Sequence, residues 1–308
     1  MNETTPPVAV PAALAESVSW NFGPEWAAAL PGLTARQCDR WELRPEGPAM
    51  HGMVGLALPV RRADGSPAVL KVQPVDGETA GEPVALRAWA GDGAVRLLDH
   101  DPDTGAMLLE ALDPSRSLLG VEATEALTVI GTLLSRLNAH PAPAGLPGLG
   151  PVTLDLAERA DRLAAVGVGG APDRLANLAS RAREMAAEPG DRLLHWDLHY
   201  GNVLAPRPGS DRGAWLAIDP KPLAGDPGFE LMPALRERWE EAVATGDVHR
   251  EARRRFDLLT DAAGLDRART RMWTLVRVLQ ECVWWVEDGE EGLPEVPLVI
   301  ADALGRWR

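Results

Sequence analysis

The sequence predicts an α+β chain in two parts, a small antiparallel β-sheet lobe with one main helix followed by a larger, mostly helical lobe. Three observations predict it. Two apolar, β-prone runs, residues 53–60 and 68–72, flank a turn at Asp64-Gly65, the pattern of a β-hairpin. A helical stretch and a second pair of short strands come next. After Asp113-Pro114 apolar residues recur at helical spacing almost to the end of the chain. The boundary therefore falls between residues 112 and 113, giving lobes 1–112 and 113–308.

Taken in order, the first residues, MNETTPPVAVPAALAES, have no basic start, carry Glu3 and are broken by Pro6, Pro7 and Pro11. They read as a frayed start and not as a secretory signal. Residues 78–90 read as a helix with Val84, Leu86 and Trp89 inward. Residues 94–99 and 106–112 read as strands joined by the turn-rich 100–105. In the second part, Leu127, Ile130, Leu133, Leu134 and Leu137 share one face of a helix over 121–139. A Pro/Gly-rich connector, 140–151, leads to helices near 153–166 and 173–188. Short strands at 192–194, 202–204 and 215–218 surround the segment His195-Trp-Asp-Leu-His-Tyr-Gly-Asn202. From Gly228 onward the chain reads as helical, with breaks near Gly246, Gly264 and Gly289.

Composition narrows the function. A formal charge of −14 argues against nucleic acid, whose phosphates need a basic surface, and suits a cationic ligand. No apolar run approaches the roughly 18 residues that a membrane span requires. Cys38 and Cys282 lie too far apart to suggest a disulfide framework, so a reducing cytosol, and a cytoplasmic protein, is the expectation. A monomer is compatible with the sequence. Only two of the 31 basic residues are lysine, Lys71 and Lys221, and the one tyrosine is Tyr200. Where arginine serves for ordinary solvated charge, a retained lysine marks a need for a compact point charge.

Phosphoryl transfer needs a cation for the phosphates, oxygen ligands for Mg²⁺, and a carboxylate to take the proton of the attacking hydroxyl. Lys71 sits in the strand Ala-Val-Leu-Lys-Val, on the face opposite Leu70 and Val72, where it could reach the phosphates of ATP. Its carboxylate partner is Glu82 or, one helical turn earlier, Glu78. Asp197 and Asn202 have the spacing of the His-x-Asp-x-x-x-x-Asn catalytic loop, with Asp197 as base and Asn202 as a Mg²⁺ ligand. Asp219 ends the apolar run Trp-Leu-Ala-Ile and supplies the second oxygen ligand, a donor set that suits a hard cation. Gly52 and Gly55 form a degenerate phosphate loop ahead of Lys71. His195 and His199 could suggest a metal hydrolase, but the other four histidines supply no further ligands. His195 reads instead as a hydrogen-bonded support of the loop.

These segments, LPVRRADGSPAVLKVQ, LRAWAGDGAVRLLDHD, MLLEALD and LLHWDLHYGNVL…WLAIDPKPLAGDPGFEL, resemble the aminoglycoside phosphotransferases. Trp196 and Tyr200 stand where the wider family has Gly and often Pro. With that difference the likeness is to the streptomycin 6-kinase type, in the aminoglycoside and hydroxyurea resistance kinase group. The resemblance implies a protein-kinase-like bilobal fold, ATP with Mg²⁺, and phosphorylation of the 6-hydroxyl of streptidine. It implies that Glu110, Ala111 and Leu112 form the interlobe segment meeting adenine, and that Asp226 braces the catalytic loop. Streptidine carries two guanidinium groups, whose natural partners are carboxylates. Glu230, Glu281, Glu287 and Asp288 are the candidate acids. The competing readings are a kinase for another polyol, amino sugar or hydroxyurea-like compound, and a nucleotide-binding pseudokinase.

Overall fold

In the computed structural model, which describes residues 8–167 and 171–305, the hairpin expected around Asp64-Gly65 is β3 and β4 of a six-stranded antiparallel sheet. The chain divides into two compact units, residues 1–113 with 206–214, and residues 114–205 with 215–308.

The first unit begins with α1 (Ala12–Phe22) and α2 (Pro24–Arg40), which are followed by β1 (Arg44–Pro45), β2 (Met50–His51), β3 (Leu56–Arg61) and β4 (Pro67–Val72). Helix α3 (Glu82–Trp89), β5 (Leu97–His100) and β6 (Met107–Glu110) complete it. The strand order is β1-β3-β4-β6-β5, with β2 also on β3, so β4 is central and Lys71 lies on an interior strand. Alternation buries Ala68, Leu70 and Val72 on one face.

Three expectations change here. Residues 1–7 of the expected frayed start lie outside the described residues, but from residue 12 the chain is helical: Leu14 and Val18, one helical turn apart, are fully buried with Leu30, Cys38, Leu56 and Leu70 in one apolar cluster. The unit therefore has two helices beyond the one expected. The helix expected from residue 78 starts at Glu82, because the Asp76 carboxylate accepts the Glu78 and Thr79 N–H groups and holds a turn there instead.

In the second unit β7 (Leu112–Ser117) enters from the boundary, and α4 (Ala123–Leu137), α5 (Leu149–Ala165) and α6 (Pro172–Ala186) follow. The connector thus ends three residues earlier than expected, its Leu149 and Gly150 being buried within α5. Strands β8 (Arg192–Leu194), β9 (Val203–Pro206), β10 (Leu216–Ala217) and β11 (Leu223–Gly225) frame the candidate loop: β9 lies between β10 and β7, and β11 pairs with β8. The remaining helices are α7 (Met232–Arg236), α8 (Trp239–Ala244), α9 (Val248–Ala263), α10 (Arg267–Glu287) and α11 (Glu295–Leu304). Asp247 and Asp266 cap α9 and α10 by accepting the N–H groups of Arg250 and Arg269, and α9 stops at Gly264, whose φ of 67° suits a residue without Cβ. Helix α10 packs against α5, α6, α9 and α11 and is buried on most of its circumference. No described helix is long and apolar enough to cross a membrane.

Leu14→Ala tests the role of α1. A buried leucine truncation costs about 2–5 kcal/mol, against almost nothing for a frayed segment. Equilibrium denaturation of the variant is expected to show a loss in that range.

Candidate active site

In the first unit, Lys71 Nζ lies 2.8 and 2.7 Å from the two oxygens of Glu82, which decides between Glu82 and Glu78. Glu82 is 1% exposed, and a buried carboxylate requires partners; Gln73 Nε2 supplies a further one at 2.6 Å. Gly52 and Gly55 do different jobs. The Gly52 N–H closes the β2–β3 turn onto the Gly55 carbonyl at 3.0 Å. A Cβ on Gly55 would stand 3.3 Å from Gln73 Oε1 and 3.6 Å from Lys71 Cε, so glycine here leaves room for the lysine chain. Glu110, Ala111 and Leu112 link β6 to β7 beside the unit boundary. The Glu110 carboxylate is occupied within the first unit by the Arg96 N–H and by Arg212, which also donates to the Gly91 and Ala94 carbonyls. What this segment can offer a base is therefore its backbone.

In the second unit the loop 195–202 hangs between β8 and β9. His195 is fully buried. Its Nδ1 accepts the Asp197 N–H at 3.3 Å, so its Nε2 carries the proton and donates to the Ile218 carbonyl at 2.9 Å. Burial lowers its pKa to about 4, which keeps the imidazole neutral. Ile218 in turn donates its N–H to the Asn202 carbonyl at 2.9 Å. Asn202 Nδ2 donates to the Asp197 carbonyl at 3.0 Å, which leaves the amide oxygen as the group it can offer a cation. Asp219 follows Ile218 in a left-handed conformation, φ 58°. Asp197, Asn202 and Asp219 are thus tied together through main-chain bonds. The Asp219 carboxylate and the Asn202 amide oxygen are hard donors, and they fit Mg²⁺. Among the described residues no three His, Cys, Asp or Glu side chains form a further metal cluster.

Two carboxylates hold this loop, and neither was expected to. Glu230 accepts the N–H groups of His195 and Trp196, one on each oxygen, at 2.8 and 2.7 Å. Being fully buried, it cannot meet substrate, and the expectation of a cleft acid is corrected. Burial pushes its carboxyl up to about 7, against the two amide donors that pull it down. Glu237 accepts the Tyr200 N–H at 2.7 Å and pairs with His199 Nδ1 at 3.1 Å. Burial alone would raise the Glu237 carboxyl, but the His199 and Tyr200 bonds hold it below its ordinary value. Asp226 does not touch the loop: it accepts the Gly228 N–H at 2.8 Å and pairs with Arg269, so the bracing role belongs to Glu230 and Glu237.

The other expected acids lie on α10 or just past its end. Glu281 is mostly buried and held by Arg236 at 2.6 Å, with Arg277 at 3.8 Å. Glu287 pairs with Arg159, and Asp288 is exposed. Arg277 is buried beneath three rings, its guanidinium 5.8 Å from Trp196, 5.1 Å from Phe229 and 5.9 Å from Trp284. Trp196 and Trp284 stand 6.3 Å apart, centroid to centroid. Tyr200 is fully buried, with the Arg238 guanidinium 5.1 Å from its ring centroid. Glu237, Gln73 and Arg277 went unassigned in the sequence because each acts through tertiary contacts that no local spacing encodes.

The profile of the family described as aminoglycoside/hydroxyurea antibiotic resistance kinase matches residues 40–289. The streptomycin 6-kinase of Streptomyces glaucescens is 51% identical over 302 residues, covering 96% of this chain and 97% of that protein. The hydroxyurea phosphotransferase of Kitasatospora aureofaciens is 54% identical over 291 residues, 92% of this chain and 81% of that protein. Among solved structures, the amicoumacin kinase hAmiN in complex with AMP-PNP, Ca²⁺ and Ami aligns at a TM-score of 0.58 and 13% identity, over 91% of this chain and 93% of that one. That likeness shows the protein-kinase-like α+β fold. The profile match over most of the length, with relatives above half identity, shows that this chain belongs to the aminoglycoside/hydroxyurea antibiotic resistance kinase family.

Proposed function

We propose that this chain is an ATP-dependent streptomycin 6-phosphotransferase, which inactivates the antibiotic in the cytosol by phosphorylating the 6-hydroxyl of its streptidine ring. The observation that carries the reading is the 51% identity, almost end to end, with a protein named streptomycin 6-kinase.

The residues take roles that follow from their chemistry. Lys71, kept in place by Glu82 and Gln73, would hold the α- and β-phosphates of ATP, with Gly52 and Gly55 leaving the backbone open to them. The backbone of Glu110–Leu112 would meet the adenine. Asn202 and Asp219 would hold Mg²⁺, which when bound neutralises phosphate charge. Asp197 would accept the proton of the acceptor hydroxyl as its oxygen attacks the γ-phosphorus and the bond to ADP breaks. Glu281, Glu287 and Asp288 remain the acids that could pair with streptidine guanidinium groups; Glu281 would exchange its Arg236 partner for substrate. The named hydroxyurea relative makes hydroxyurea the acceptor to test against streptomycin.

With Mg-ATP and a panel of streptomycin, other aminoglycosides, hydroxyurea and amino sugars, mass spectrometry is expected to find one phosphate added to streptomycin. Clean transfer to another acceptor with none to streptomycin sinks the reading. Asp197→Asn is expected to lower kcat by about 10²–10⁴-fold with ATP binding largely kept, since general-base catalysis is worth that much. Glu230→Gln separates a brace from a substrate ligand. Placing an amide N–H against a main-chain N–H leaves a buried donor unpaired, a cost of about 1–3 kcal/mol. Denaturation should show that loss with the acceptor KM little changed, whereas a substrate-binding acid would give a raised KM at unchanged stability.

A further inference from the structure

Lys221 has no role in the reading above, yet it is one of only two lysines among the chain's 31 basic residues. The other, Lys71, is bound to a buried carboxylate. Lys221 Nζ donates to Asp197 Oδ2 at 3.1 Å, so its ammonium rests on the carboxylate assigned as base. Its main chain is fixed as well: the Lys221 N–H donates to the His195 carbonyl at 3.0 Å, where the chain leaving Asp219-Pro220 runs into the β11–β8 pairing. The side chain is one-third exposed, and Asp197 is one-quarter exposed. Neither group is fully buried.

For a carboxylate that only had to accept a proton, a fixed cation would be a disadvantage, since it occupies a lone pair. The cation makes sense if it serves the other reactant. An acceptor hydroxyl must come within about 2.6–3.2 Å of an Asp197 oxygen. The phosphorus it attacks must then lie roughly 3–3.5 Å beyond that hydroxyl oxygen. This path brings the equatorial oxygens of the phosphoryl group within the swing of a four-carbon lysine stem anchored beside the carboxylate. Three donors on one compact ammonium can bridge the carboxylate and a phosphoryl oxygen; a planar guanidinium would fill the space that the acceptor needs.

We propose that Lys221 is a catalytic residue of the transfer step, its ammonium bridging the Asp197 carboxylate and the γ-phosphoryl oxygens while the phosphoryl group moves. The proposal rests on the kinase reading. The acceptor oxygen forms its bond to phosphorus, and the bond from phosphorus to the bridging oxygen of ATP breaks, its electron pair leaving on ADP. The hydroxyl proton passes to Asp197. Lys221 loses no proton; it offsets negative charge on the phosphoryl oxygens, in the manner of a fixed cation at a transition state.

The test uses the full chain with Mg-ATP and whichever acceptor the wild type phosphorylates, read by single-turnover transfer and by steady-state KM. Lys221→Met is expected to slow transfer about 10²–10³-fold, the size of losing one preorganised donor, with both KM values within about threefold of wild type. Lys221→Cys controls for folding, because 2-bromoethylamine converts the cysteine to a lysine analogue and both native cysteines are buried. Transfer by Lys221→Cys should be as slow as by Lys221→Met, and alkylation should restore at least tenfold, with treated wild type unchanged. Transfer in Lys221→Met within fivefold of wild type, a loss confined to KM, or no recovery on alkylation overturns the proposal while leaving the kinase reading intact. A wild type that phosphorylates no acceptor overturns both.

Discussion

The site depends on one buried interaction, the Glu230 carboxylate accepting two consecutive main-chain N–H groups from His195 and Trp196. Parallel amides can be gathered by one carboxylate only if the backbone turns between them, and Trp196 makes that turn at φ 66°. A non-glycine residue there costs on the order of 1–3 kcal/mol, so the conformation needs an external hold. Glu230 supplies it from a 3-10 turn, residues 227–230, which packs against α10. The next residue along the loop is Asp197. Its direction is therefore set by a residue 33 positions later that never meets substrate.

The tryptophan also explains the charge buried behind the loop. Its ring leans toward Trp284 and lies over Arg277, which is 3% exposed. Burial works against a guanidinium, and Arg277 is accommodated by three aromatic faces and by Gln280 and Glu281. Glycine at 196 would relieve the backbone and remove one face of this cage. The sequence departure from the wider family is thus coupled to α10: Trp196, Arg277, Glu281 and Trp284 form one connected group, and its acid is the one whose Arg236 partner a cationic substrate could replace.

What could be read from the sequence was what is local. Alternation placed Lys71 opposite Leu70 and Val72, and a spacing of five placed Asp197 and Asn202 on one loop, because both depend on backbone geometry over a few residues. The helical stripe of 121–139 is α4. What could not be read depends on contacts across the chain. An acid carries the same letter whether it faces water or two buried amides, so sequence alone does not distinguish Glu230 from a substrate ligand or mark Glu237 as a brace. Helices α1 and α2 were hidden by prolines and by an apolar stripe of only a few residues. The segment 206–214, sequentially inside the second unit, belongs to the first because Arg212 ties it to Glu110 and to two carbonyls.

His195 shows why the loop's first histidine could not be exchanged for a charged residue. Its two ring nitrogens do opposite things: Nδ1 accepts from Asp197 N–H, and Nε2 donates to the Ile218 carbonyl. Only a neutral imidazole in one tautomer can do both, and complete burial, which lowers the pKa to about 4, secures the neutral form. Protonating Nδ1 would turn an acceptor into a donor facing the Asp197 N–H. The bond to Ile218 fixes the residue before Asp219, and the bond from Asp197 fixes the base, so one uncharged ring sets the spacing between the proposed base and the proposed metal ligand. A lysine or arginine at 195 could donate to Ile218 but would leave the Asp197 amide without its acceptor, and the link from Asp197 to the residue before Asp219 would be lost.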